Sequence, residues 1–139
     1  MQRKFARYFL NNFLQHRIKT HSMPEHLFFF LGLGFILTHE MDAIRCKEWL
    51  MFPATFFLKD ETGFLVFTLA HIPLYAWVCW GLSSSPFSPT FIRAWDIFLI
   101  VHCFLHILFL KHPQNRFKSG LSWFIILGAA VCGAVDWLF

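Results

Sequence analysis

The fold is decided by residues 89–111, which read PTFIRAWDIFLIVHCFLHILFLK. They form a nearly continuous apolar run, close to the ~20 residues that an α-helix needs to cross a bilayer. Two histidines, His102 and His106, lie inside this run. A polar ring in hydrocarbon is costly unless it has a partner, and such residues usually mark a functional site. The segment therefore predicts a transmembrane helix that carries part of a site.

The whole chain has the composition of an integral membrane protein. Hydrophobic residues make up 57% of its 139 residues and charged residues only 14%, which is far from the balance of a soluble domain. The apolar runs are continuous and do not alternate, which favours helices over a barrel. We therefore predict an all-α fold, a four-helix bundle in the membrane. The four cysteines form no C-x-x-C pair, so neither a disulfide framework nor a thiolate zinc site is indicated.

The chain divides into a basic segment, residues 1–22, and a four-span bundle, residues 23–139. The basic segment contains no acidic residue, and Phe5, Phe9 and Phe13 recur at i,i+4 spacing. This pattern is typical of an amphipathic helix lying on an anionic membrane surface. A transit peptide has a similar composition, but we expect a retained interfacial helix. The four spans are predicted at about residues 25–45, 62–82, 89–111 and 120–139.

Charge does not decide the orientation of the bundle, since Lys and Arg residues number six on each side of the membrane. The basic amino terminus favours a cytoplasmic location for that end. The chain shows no nucleic-acid signature and no phosphate-binding glycine loop. We expect its partners to be the lipid bilayer and either a larger membrane complex or further copies of itself.

Four histidines are predicted to meet in one half of the bilayer. His71 lies nine residues inside the second span, and His102 and His106 lie nine and five residues inside the third. At ~1.5 Å of rise per residue, these positions are about 13, 13 and 7 Å from the same membrane face. His39 lies near that face at the end of the first span.

This convergence predicts a metal site with nitrogen and oxygen ligands. His102 and His106 are one turn apart on a helix face, a spacing used for metal ligation, and His39 shares a face with Asp42. Such ligands suit zinc, iron or manganese better than copper(I). The predicted ligands are His39, Asp42, His71, His102 and His106, with Glu40 or Asp42 as the base in a metal-dependent enzyme that acts on a lipid-like substrate.

Two other interpretations stay open. In the first, His71 and one of His102 or His106 bind haem axially, or single histidines hold chlorophyll, in an accessory subunit. In the second, the chain is a structural subunit of a larger membrane complex and its histidines only make hydrogen bonds. His71, for example, could satisfy polar groups freed near the helix-interrupting Pro73.

Several short motifs also resemble those of a small bacterial four-helix membrane family of unknown function. They are Thr38-His39-Glu40-Met41-Asp42-Ala43, Glu48-Trp49, Ala70-His71-Ile72-Pro73-Leu74, Val101-His102 with His106, His112-Pro113, Leu121-Ser122-Trp123 and Gly128-Ala129-Ala130. The resemblance covers about residues 24–136 and leaves out the basic amino-terminal segment. It implies a four-span fold and transfers no activity.

Overall fold

The protein is described by a computed structural model that covers residues 26–84 and 86–138. All regular elements of these residues are helical, and four helices are long and apolar enough to cross a membrane. The prediction of an all-α, four-helix membrane protein is therefore confirmed. The predicted interfacial segment, residues 1–22, lies outside the described residues. The helices are α1 (Leu27–Cys46), α2 (Asp60–Ser83), α3 (Pro89–Leu108) and α4 (Gly120–Leu138), with a 3₁₀ turn at Glu48–Leu50 between α1 and α2.

Helices α1, α3 and α4 form the packed part of the bundle, with α4 in extensive contact with both of the others. At one end, Phe29, Trp95 and Leu99 are buried in a cluster of apolar side chains. At the other end, Cys103 and Ile126 pack beside the carboxyl-terminal part of α1. The candidate site lies at this second end.

Glycine allows the packed helices to approach each other closely. A Cβ atom at Gly133 in α4 would lie 3.0 Å from the backbone oxygen of Asp96 and 3.3 Å from its Cα atom in α3. Backbone atoms cannot move aside as a flexible side chain can, so the α3–α4 contact requires a residue without a side chain here. Small residues serve the same purpose in many membrane helix pairs.

Helix α2 lies at the edge of this packed group. Of its 24 residues, only Gly63 and Val78 are buried. Its amino-terminal end is attached to the 3₁₀ turn by Asp60, which accepts hydrogen bonds from Lys47 Nζ at 2.5 Å and from Trp49 Nε1 at 2.8 Å. Helix α2 is therefore fixed at this end by polar contacts, and most of its surface is left to the bilayer.

We expect Gly133→Val to destabilise the protein by about 1–3 kcal/mol, because the added methyl groups overpack the α3–α4 contact. Gly34→Val is the matched control, since a Cβ atom at Gly34 meets nothing within 4 Å. This change should stay within about 0.5 kcal/mol of the wild type. Unfolding in mixed micelles, followed by tryptophan fluorescence, measures both values. Equal stabilities of the two variants would contradict the role assigned to Gly133.

Candidate metal centre

A tight turn after α1 brings a carboxylate back towards the histidines. Lys47 adopts the left-handed conformation, with φ 52° and ψ 56°, and its backbone N–H donates to the carbonyls at the end of α1. This conformation is uncommon for a residue with a side chain and costs about 1–2 kcal/mol. The hydrogen bonds of Lys47 and Trp49 to Asp60 help to hold the turn. As a result Glu48, which lies beyond the end of α1, is 4% exposed.

Glu48 meets three imidazoles, from His39 of α1 and from His102 and His106 of α3. The ligand atoms of these four side chains lie within 4.8 Å of one another. The Nε2 atom of His106 is 3.2 Å from the Nε2 atoms of both His39 and His102. It is also 3.3 Å from Glu48 Oε1, and His39 Nε2 is 3.3 Å from Glu48 Oε2. We call these four residues the His/Glu cluster.

These separations fit the coordination sphere of a small metal ion. Ligand atoms about 2.0–2.1 Å from a tetrahedral zinc ion lie about 3.3–3.4 Å from one another. Four of the separations in the cluster, 3.2 to 3.3 Å, are close to this value, and two of them involve different oxygens of Glu48. The donor set of three nitrogens and one carboxylate is also one that zinc, iron and manganese accept.

An aromatic ring from the loop between α3 and α4 covers the cluster. Phe117 is 1% exposed, and its ring centroid lies 4.6 Å from that of His106 and 5.4 Å from that of His39. Asn115 fixes this loop, since its side chain donates to two carbonyls after α3 and accepts a hydrogen bond from the Phe117 backbone N–H. The loop thus shields one side of the cluster from water.

The imidazoles stabilise the ionised form of the Glu48 carboxyl. Burial raises the pKa of Glu48, but the hydrogen bonds to His106 and His39 and the charge of the neighbouring imidazoles outweigh burial and hold the pKa well below its usual value. The carboxylate is therefore available as a charged ligand. Among the described residues, Nδ1 of His39 and Nδ1 of His106 are buried without a hydrogen-bond partner, whereas most metal-bound histidines have one.

His71 lies in a separate pair with Glu40. Its Nε2 atom is 2.7 Å from Glu40 Oε2, and its Nδ1 atom is 2.7 Å from the carbonyl oxygen of Phe67. A carbonyl only accepts, so Nδ1 carries a proton. A second proton must lie between Nε2 and the Glu40 carboxylate to make that contact favourable. The pair connects α1 to the middle of α2.

Asp42 also has its own partner. Its Oδ1 atom accepts a hydrogen bond from Arg45 Nε at 2.7 Å and lies 2.6 Å from the second guanidinium nitrogen. The same guanidinium is 3.4 Å from Ser122 Oγ in α4. Asp42 thus helps to connect α1 with α4 through Arg45.

In the part of the chain that the structure describes, a small and a larger cavity border the His/Glu cluster. The smaller, about 10 Å³, is lined in part by Glu48, His102 and His106, and is close to the space that one water molecule needs. The larger, about 190 Å³, lies between α2 and the rest of the bundle. Glu48 and His102 border it, and so do both members of the Glu40–His71 pair.

The structure brings together three of the five metal ligands predicted from the sequence, His39, His102 and His106. The predicted ligands Asp42 and His71 have other partners, and their roles as ligands stay predictions, as do Glu40 and Asp42 as bases. Haem or chlorophyll bound by His71, His102 or His106 also stays a prediction. Sequence reasoning did not select Glu48 as a ligand, although the Glu48-Trp49 motif was among those that carried the family resemblance.

The fold and the site define a class: an integral membrane protein of four helices with a buried cluster of three histidines and one glutamate. A family model, described as a family of unknown function (DUF6713), matches residues 25–139. The chain belongs to this family, which confirms the resemblance to a small uncharacterised family. Comparison with curated proteins and with solved structures gave no significant match.

We expect Glu40→Ala to destabilise the protein by about 1–3 kcal/mol, because His71 would lose its charged hydrogen-bond partner. Met41→Ala is the control at the next position, where the side chain is 74% exposed, and should change stability by less than about 0.5 kcal/mol. The free energy of unfolding in mixed micelles measures both effects. If Glu40→Ala were as stable as Met41→Ala, the pair would not stabilise the α1–α2 connection.

Proposed function

We propose that the His/Glu cluster binds a divalent metal ion, zinc, iron or manganese, and that the protein uses it in an enzymatic reaction on a lipid-like substrate. One observation carries the proposal: His106 Nε2 lies within 3.3 Å of two other imidazole nitrogens and of a carboxylate oxygen. A shared metal ion would account for side chains that meet so closely in a buried place.

Hydrogen bonds within the cluster do not account for this geometry. An imidazole nitrogen has either one proton to donate or one lone pair to accept with. His106 Nε2 can therefore make one good hydrogen bond, but it has three close neighbours. A metal ion placed among the four side chains would accept a lone pair from each of them and would also balance the charge of Glu48.

The neighbouring cavity supports the enzymatic part of the proposal. Glu48 and His102 belong to the cluster and also line the cavity of about 190 Å³, so a molecule in the cavity would approach the metal from that side. With four protein ligands a tetrahedral zinc ion would have no open position, so Lewis acidity, which polarises a carbonyl group or activates water, would require a fifth position, as in five-coordinate zinc or in a site of iron or manganese with more ligands. Glu40 lines the same cavity and is the candidate for accepting a proton during hydrolysis.

We expect the detergent-purified protein to contain close to one zinc, iron or manganese ion per chain, because four donor groups converge on one point. Replacing His102 and His106 together with Ala should remove it. Glu48→Gln should weaken binding by at least about tenfold, since it replaces a charged ligand with a neutral one. Elemental analysis by plasma mass spectrometry after dialysis at several free metal concentrations gives the occupancy and the affinity.

The variant His71→Ala distinguishes two candidate ligand sets: the His/Glu cluster, which does not contain His71, and the set predicted from the sequence, which does. We expect this variant to keep its metal, because His71 is paired with Glu40 outside the His/Glu cluster. His112→Ala, in the loop after α3, is the control for loss of an imidazole elsewhere. Metal that survives in Glu48→Gln and disappears in His71→Ala would contradict the assignment. A protein without any bound metal, which gains none on titration, would overturn the proposal.

The enzymatic part has its own test. Protein reconstituted in phosphatidylcholine vesicles with a panel of long-chain esters should release the free acid, and chelation of the metal should abolish the release. Glu40→Gln should slow the reaction by about 10²–10⁴-fold, the usual contribution of a general base, and should keep the metal. Ester cleavage that is absent, or equal in wild type and the His102/His106 double variant, would exclude this activity.

A further inference from the structure

The larger cavity has an apolar wall and a polar end. Its wall includes Val66, Phe67, Ala70 and Leu74 of α2, which recur at spacings of one helical turn and so lie on one face. The polar side chains that border it are those of Thr55, of the Glu40–His71 pair, and of Glu48 and His102 in the His/Glu cluster. A cavity of this kind, mostly apolar with a few convergent polar groups, is the usual form of a small-molecule site.

The cavity is placed to receive its ligand from the membrane. Val66 lines the cavity and is 41% exposed. Helix α2 buries only two of its residues and is apolar enough to cross a membrane, so lipid chains surround this wall. A hydrocarbon chain can therefore reach the cavity sideways along α2 without passing through water.

The size of the cavity limits what enters. A volume of about 190 Å³ is below the ~300–1,000 Å³ of the pockets that enclose a whole drug-sized ligand. This space accepts the end of one chain and does not enclose a whole long-chain lipid. The remainder of a long chain would stay in the bilayer beside α2.

The charges at the polar end decide the chemistry of the ligand's end group. Two carboxylates, Glu40 and Glu48, border the cavity, and each already has an imidazole partner. No Lys or Arg is among the described residues that line the cavity, so an anionic end group would find no permanently charged side chain to pair with. A pure hydrocarbon would leave the remaining acceptor sites of the two carboxylates without a donor, which is costly in an apolar environment.

We propose that this cavity binds the end of a long-chain amphiphile that carries an uncharged oxygen group, such as an ester or an alcohol, and that the ligand enters from the bilayer. The oxygen reaches the side of the His/Glu cluster formed by Glu48 and His102. This inference rests on the proposed function for the role of the metal, because the bound oxygen would face the ion. The chain-binding cavity itself is tested separately below.

The test is photo-crosslinking of the full chain in phosphatidylcholine vesicles. The probe is hexadecanol with a diazirine close to its hydroxyl end, and labelled peptides are mapped by mass spectrometry. Labelling of the stretch 66–74 should be displaced by excess hexadecanol and not by hexadecane. Labelling that hexadecanol does not displace, or that hexadecane displaces equally well, would overturn the inference, since α2 would then only be in contact with bulk lipid.

Two variants fill the cavity from different sides. Ala54 and Ala70 both line the cavity. The larger side chain of Ala70→Trp would enter the cavity from α2, and that of Ala54→Trp would enter it from the loop before α2. Each should reduce displaceable labelling by about tenfold. Leu69→Trp is the matched control, because Leu69 is 52% exposed and does not line the cavity. Undiminished labelling in both cavity variants, with metal content unchanged, would contradict the inference.

Metal analysis of the same samples separates the two proposals. Displaceable labelling in a protein that binds no metal would support the chain-binding cavity and refute the metal site. Stoichiometric metal without displaceable labelling would refute the cavity and leave the metal site standing.

Discussion

The carboxylate of Glu48 is the charge around which the polar end of the bundle is arranged. Glu48 is 4% exposed, and an ionised carboxyl at such a place costs several kcal/mol unless it is paired. Three imidazoles from α1 and α3 surround it, and their ring nitrogens stabilise the ionised form. The compensation requires α1, the 3₁₀ turn and α3 to meet at one point, so the electrostatics of one residue constrain the relative positions of three elements.

Helix α2 is less closely packed than the other three helices. Helix α4 is in extensive contact with both α1 and α3, and glycines such as Gly133 allow close approach. Helix α2 touches them at separate places: through polar contacts at Asp60 and at the Glu40–His71 pair, and near its carboxyl-terminal end through Trp77, whose ring centroid lies 5.2 Å from that of Phe91 in α3. Contacts at separate places leave space between them, whereas continuous packing would close it. The cavity of about 190 Å³ lies in that space.

Much of the fold could be predicted from the sequence, because hydrophobicity and length decide where a helix crosses a membrane. The i,i+4 spacing of His102 and His106 and the depth of His39 were also sufficient to predict that these imidazoles meet. Glu48 could not be predicted as a ligand, because it follows the end of α1 and depends on a left-handed turn at Lys47. No glycine marks that turn. The partner of His71 depended on the rotation and placement of α2, which hydrophobic periodicity alone does not determine.

The four carboxylates near the candidate site differ in the kind of partner that each one has. Asp42 is neutralised by Arg45, and Asp60 by Lys47, so these carboxylates are balanced by cations and serve to hold the chain. Within residues 26–84 and 86–138, the ion-pair partners of Glu40 and Glu48 are imidazoles, and both carboxylates border the larger cavity. Imidazole can lose its proton near neutral pH, which a guanidinium cannot do. The carboxylates that border the cavity are thus the two that are paired with imidazoles, and the ion pairs with Arg45 and Lys47 lie outside the groups that line it.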